Sequence, residues 1–135
     1  MKDLVFAMEL RGRAAPVEGR EGTLKAATSG RGPGGGTVNF ESEVVLRGQN
    51  FKESGSIEYT GRGKVRFETV GAGNLGPSPL PQTQWGDKTQ WGAVVRRITL
   101  GEGEFRGASG YITSNFTVDA DGNVVDNHYV RMVLP

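Results

Sequence analysis

Asp126-Asn127-His128-Tyr129 holds the only histidine of the chain, with a carboxylate two residues before it. On a β-strand this spacing puts Asp126 and His128 on one face and Asn127 and Tyr129 on the other. An imidazole beside a carboxylate can move protons near neutral pH if that face looks into a cavity. The same pair can instead be a structural hydrogen bond, or lie on the surface. The face it shares also carries Val124, Val130, Met132 and Leu134, an apolar stripe with polar groups at one end, as a ligand cavity requires. One His and one Asp fall short of the three or four ligands of a zinc site, and no serine sits in a nucleophile elbow. No metal is expected.

Arg96-Arg97 is the second constellation, set between Val94-Val95 and Ile98. Neighbouring strand residues point to opposite faces, so one of the two faces inward if the sheet closes. A buried guanidinium needs a carboxylate, and Glu9, Glu41, Glu43 and Glu68 are the candidates. A solvated barrel mouth or an inter-subunit salt bridge would accommodate the pair equally well. Arg96, Arg97, Glu9, Glu68, Asp126 and His128 thus form the candidate catalytic set. Phe40, Tyr59, Phe67, Trp85, Trp91, Phe116 and Tyr129 are the aromatic candidates for ligand contact.

The elements that must position them read as strands. Leu4, Phe6, Met8 and Leu10 alternate with Val5, Ala7, Glu9 and Arg11, predicting a strand of about 8–10 residues that Gly12 ends. A loop is expected over Gly12–Gly22, with Pro16 barring a central strand there. Gly22–Ser29 reads as a short strand and Ser29–Gly36 as a flexible connection. Val38, Phe40, Ser42, Val44 and Leu46 form one face of the clearest two-faced strand. Phe51–Glu53 and Ser56–Thr60 follow, then a Gly61-Arg62-Gly63 hairpin turn and a strand over Lys64–Val70. Residues 71–92 hold three of the six prolines and read as a long loop, a binding lid or a disordered segment. Within it Thr-Gln-Trp-Gly occurs twice, at 83–86 and 89–92. This is either a local duplication, a hairpin pairing Trp85 with Trp91, or an aromatic flap over an apolar mouth. Ala93–Leu100, a glycine turn at Gly101–Gly110, Tyr111–Asp119, an Asp-Gly turn and a last long strand complete the chain.

No window shows a convincing 3.6-residue apolar period, so little or no helix is expected. Seven or eight strands punctuated by 22 glycines in 135 residues imply one all-β domain over residues 1–135, a sandwich or a barrel. Two G-x-G-x-x-G matches, at Gly30-Gly32-Gly35 and Gly71-Gly73-Gly76, open onto no helix and are rejected as dinucleotide sites. Sixteen basic against 15 acidic residues give a net charge of +1, so neither nucleic acid nor an anionic membrane is an expected partner. Without cysteine, thiolate chemistry is excluded and a reducing compartment suits the chain. MKDLVFAMELRGR lacks the pattern of a secretion signal, and no segment reaches the length of a membrane span, so a cytoplasmic location is expected.

From Gly101 to Leu134 the chain resembles the allene oxide cyclase and dirigent families of small β-barrels. The likeness rests on GEGEFRGASGY (Gly101, Gly103, Phe105, Gly107, Ala108, Gly110, Tyr111) and on Gly122-Asn123-Val124-Val125. It implies a closed antiparallel eight-stranded barrel that binds a small, largely apolar molecule and steers its isomerisation or cyclisation without a cofactor. A non-catalytic carrier barrel, or a structural oligomer with a filled interior, are the alternatives. Strands apolar on both faces suit a homodimer or homotrimer. None of the families' pocket residues carries over position by position.

Overall fold

The computed structural model describes residues 1–77 and 88–135. Among them are nine strands: β1 (Lys2–Pro16), β2 (Thr23–Arg31), β3 (Thr37–Arg47), β4 (Asn50–Tyr59), β5 (Gly63–Thr69), β6 (Gly73–Pro77), β7 (Gln90–Gly103), β8 (Ser109–Val118) and β9 (Asn123–Leu134). A single 3-10 turn, Pro33–Gly35, links β2 to β3. Among the described residues no helix is long and apolar enough to cross a membrane. Each strand pairs antiparallel with the next in the ring β1-β2-β3-β4-β5-β7-β8-β9, and β9 returns to β1 from Lys2↔Leu134 to Arg13↔Asn123. The result is the expected closed eight-stranded barrel, with β6 as an extra strand. β6 continues the wall where β5 stops, pairing Gly73 and Asn74 with Phe51 and Asn50 on one side and Asn74–Pro77 with β7 on the other.

Closure turns the period of two into an inside and an outside. On β9, Val124, Asp126, His128, Val130 and Met132 are buried, while Asn127, Tyr129 and Arg131 between them are exposed. Four boundaries differ from those expected. β1 runs 15 residues to Pro16, so Gly12 lies inside a strand rather than ending one. A Cβ at Gly12 would meet the carbonyl oxygen of Ala27 at 2.0 Å, so glycine is there to let β2 come close. β2 reaches Arg31, into the segment read as flexible. β4 is continuous from Asn50 to Tyr59, where two short strands were expected. The loop anticipated over residues 71–92 contains β6 and the start of β7; residues 78–87, with Trp85 and the first Thr-Gln-Trp-Gly, lie outside the described residues.

The two ends of the barrel differ. At one end Leu10, Val38, Ile57, Val65, Ile112, Val130 and Met132 pack with almost no exposure. Phe105, from the turn after β7, closes this end at 1% exposure, its ring 4.8 Å from that of Tyr59 and under the guanidinium of Arg62. That turn folds so tightly that a Cβ on Gly101 would meet the carbonyl oxygen of Phe105. Burial pushes the Tyr59 phenol up, against a smaller opposing pull from Arg62, so it stays protonated. The other end, formed by the starts of β2, β4 and β9 and the ends of β1, β3 and β8, encloses a cavity.

Candidate functional site

The cavity measures about 50 Å³ and opens at the less packed end. Its upper wall is apolar: Leu24, Val44, Leu75, Phe116, Val118 and Val124. Phe51 and Phe116 meet edge to face, 5.8 Å apart. Each ring lies on a glycine, Phe51 on Gly73 and Phe116 on Gly92, where a Cβ would come within 2.3 Å of ring carbon. These two glycines make room for the aromatic pair. Such a volume holds a few waters, and falls well below the roughly 300–1,000 Å³ of pockets for drug-sized ligands. A guest must be compact or project through the mouth.

Glu53 of β4, Arg96 of β7 and Asp126 of β9 border the inner end of the same cavity. All three are interior by strand alternation, and each is no more than 6% exposed. Arg96 Nε donates to Glu53 Oε1 at 2.7 Å, and Arg96 Nη2 lies 3.5 Å from Asp126 Oδ2. The guanidinium therefore sits between the two carboxylates, where a bound cation would otherwise be needed. It also lies over the rings of Phe40 and Phe67, 4.9 and 5.3 Å from their centroids, and these rings stack on each other. Aromatic faces attract a desolvated cation, which offsets part of the cost of burying it.

Serine and histidine complete the layer. Ser42 donates to Glu53 Oε2 at 2.5 Å, and Ser114 donates to Asp126 Oδ1. His128 Nε2 is 2.9 Å from Asp126 Oδ2 and 3.2 Å from Arg96 Nη1. An ionised carboxylate only accepts, so we assign the ring proton to Nε2. Nδ1 is then buried without a partner among the described residues. Burial pushes the Asp126 carboxyl up. The hydrogen bond from His128, the electrostatic pull of His128 and Arg96, and the Ser114 hydroxyl together outweigh it and hold the group below the usual carboxylate range. One further polar group faces the cavity: Thr28 of β2 is 4% exposed and its Oγ1 has no partner among the described residues.

Of the six candidate catalytic residues, the barrel brings Arg96, Asp126 and His128 together and turns the others outward. Arg97 pairs with Glu68 on the outer face, and Glu9 pairs with Arg11. The expected partners of the inward arginine are thus corrected: Glu43 bonds Arg20 outside and Glu41 is exposed, while Glu53 and Asp126 hold Arg96. Among the aromatics, Phe40 and Phe116 line the cavity and Phe67 underlies Arg96. Tyr59 belongs to the closed end. Tyr129 is 51% exposed on the outer wall, and Trp91 has the same strand parity as Arg97, so neither borders the cavity. Trp85 lies outside the described residues.

Glu53, Ser42, Ser114 and Thr28 went unnoticed as site residues. The signal for Glu53 is the alternation Phe51, Glu53, Gly55, Ile57, Tyr59, in which Gly55 supplies no side chain. A Cβ there would meet the carbonyl oxygen of Glu41 at 2.0 Å, so this glycine too serves close strand approach. No protein-family model matches the chain, and neither does any curated protein or solved structure.

Proposed function

We propose that this barrel binds a small, largely apolar molecule in its open half and acts on it as a cofactor-free isomerase or cyclase. One observation carries the reading: three buried, mutually paired ionic side chains end a cavity whose remaining wall is almost wholly apolar. Structural ion pairs need no cavity, and an apolar binding site needs no buried charge. A site with both is where perturbed groups meet a guest. The apolar wall would hold one conformer away from water, removing orientation entropy from the barrier. Arg96, fixed by Glu53 and Asp126 before any guest arrives, would steady negative charge developing on a guest oxygen. The likeness to allene oxide cyclases and dirigent proteins over Gly101–Leu134 points the same way.

The second reading is a carrier, favoured by a specific feature. Both carboxylates already have internal donors on each oxygen, so neither is a free base. Native mass spectrometry of freshly purified protein, followed by extraction and re-incubation, separates the two. An isomerase or cyclase converts the extracted compound into one of equal mass and different retention time, and Arg96→Lys slows it. A carrier returns the compound unchanged. The same spectrum tests a further part of the proposal, that the barrel assembles as a homodimer or homotrimer. Val5, Tyr129, Tyr111 and Val95 are exposed on the adjoining outer faces of β1, β9, β8 and β7 and supply apolar area for such a contact.

A further inference from the structure

Hydrogen-bonding capacity in the cavity is uneven. Asp126 Oδ1 accepts from Ser114 and Oδ2 from His128; Glu53 Oε1 accepts from Arg96 and Oε2 from Ser42. Each carboxylate oxygen thus already has a donor, and a guest that must donate a proton would compete there with Ser42, Ser114, His128 or Arg96. Some donors have no acceptor. Arg96 carries five N–H groups: Nε is committed to Glu53 and Nη2 faces Asp126, while Nη1 lies 3.2 Å from His128 Nε2, which as a protonated nitrogen does not accept. Thr28 Oγ1 borders the same space with no partner among the described residues. A buried hydroxyl left unpaired is destabilising, so a guest that satisfies it gains an advantage over one that does not.

Charge narrows the guest further. The layer holds two carboxylates against one guanidinium and at most one imidazolium, a net charge of −1 or zero. It has no spare positive charge for an anion, and in a low-dielectric interior a guest carboxylate would meet Glu53 and Asp126 uncompensated. We infer, resting on the small-molecule reading above, that the cavity takes a neutral molecule whose carbonyl oxygen accepts from Thr28 Oγ1 and Arg96. The carbon body of that molecule lies against Val124, Phe116 and Leu24. Thr28 is thereby the residue that selects for oxygen; it positions the carbonyl and transfers no proton.

The test is an NMR titration of the full chain with three compounds of one shape: cyclohexanone, methylenecyclohexane and cyclohexanecarboxylate. Cyclohexanone is expected to bind most tightly and to shift the Thr28 and Arg96 signals. Thr28→Val, which keeps the shape and removes the hydroxyl, should weaken cyclohexanone about threefold to tenfold and leave methylenecyclohexane unchanged. Thr28→Ser should restore the difference. Equal binding of ketone and alkene, no effect of Thr28→Val, or tighter binding of the carboxylate overturns the carbonyl inference and leaves the small-molecule reading standing. Failure of all three compounds to bind overturns both.

Discussion

The two halves of the barrel use the same strands for different ends. In the closed half, alternation delivers Leu10, Ile57, Val65, Ile112, Val130 and Met132 to the axis, and Phe105 caps them from a turn. In the open half the same strands deliver Ala14, Leu24, Ala26, Val44 and Val118, smaller or fewer groups that leave space unfilled. Glu53, Arg96, Asp126 and His128 mark the boundary. A filled interior maximises dispersion and area burial, while a cavity forgoes both. Buried ions are weak contributors to net stability against apolar replacements of equal size. The closed half thus supplies the stability that permits the open half to remain hollow and charged.

The largest expected effect comes from breaking the boundary. Arg96→Met removes the sole guanidinium between Glu53 and Asp126 and should destabilise by about 3–5 kcal/mol, because two buried carboxylates lose their partner. Denaturant unfolding at neutral pH measures it, and a loss below about 1 kcal/mol would mean that water or a rearranged His128 takes over. A triple replacement of Glu53, Arg96 and Asp126 by apolar residues should recover much of the loss. Next come the two halves themselves. Phe105→Ala opens a void under a sealed end and should cost about 3–4 kcal/mol. Phe116→Ala, on the wall of a cavity already open to water, should cost roughly half as much. Equal losses at the two positions would show that the halves are not energetically distinct.

Much of this division was legible beforehand. Alternation along Leu4–Leu10, Val38–Leu46 and Val124–Leu134 predicted the strands, and the Arg96-Arg97 doublet required one inward guanidinium in a closed sheet. Glycine hid the rest. Gly12 reads as a strand end and Gly55 falls in the gap between Phe51–Glu53 and Ser56–Thr60, yet both sit within strands where a neighbouring backbone approaches to less than a Cβ contact. With two short strands in place of a continuous β4, the parity that places Glu53 inside is not visible. Choosing among carboxylates also requires register. Glu68 and Arg97 are direct cross-strand neighbours on the outer face, whereas Glu53 reaches Arg96 across the barrel interior from a strand not adjacent to β7 in that region. Nothing in a linear pattern distinguishes those two cases.

A smaller effect separates buried from ordinary carboxylates. The folded-state pKa of Asp126 is depressed, so its contribution is fully present above the unfolded value of about 3.9 and is lost as pH falls through the lower folded value. Stability of the native sequence should therefore decline with an added slope below about pH 4. Asp126→Asn should be less stable at pH 7, and the gap between the two proteins should narrow as pH falls below about 4. Urea midpoints at pH 7, 5, 4 and 3 give the comparison. A gap that stays constant over this range would mean that the native carboxylate gains nothing from Ser114, His128 and Arg96.

The smallest effect belongs to the neighbour of Arg96. Arg97 and Glu68 make a close ion pair on the outer wall, each about half exposed. Water screens the pair, and holding two long side chains in one geometry costs entropy, so Arg97→Met should change stability by less than about 1 kcal/mol. Whatever remains should vanish in 1 M salt, where the screening length falls to about 3 Å. The Arg96→Met loss should largely survive that salt, because Glu53, Arg96 and Asp126 are each no more than 6% exposed and buried pairs are screened far less than exposed ones. Two adjacent arginines with paired carboxylates would then differ severalfold in effect and oppositely in salt response. If instead both losses faded together in salt, the inner layer would be open to ions, and its part in holding a guest away from water would fail with it.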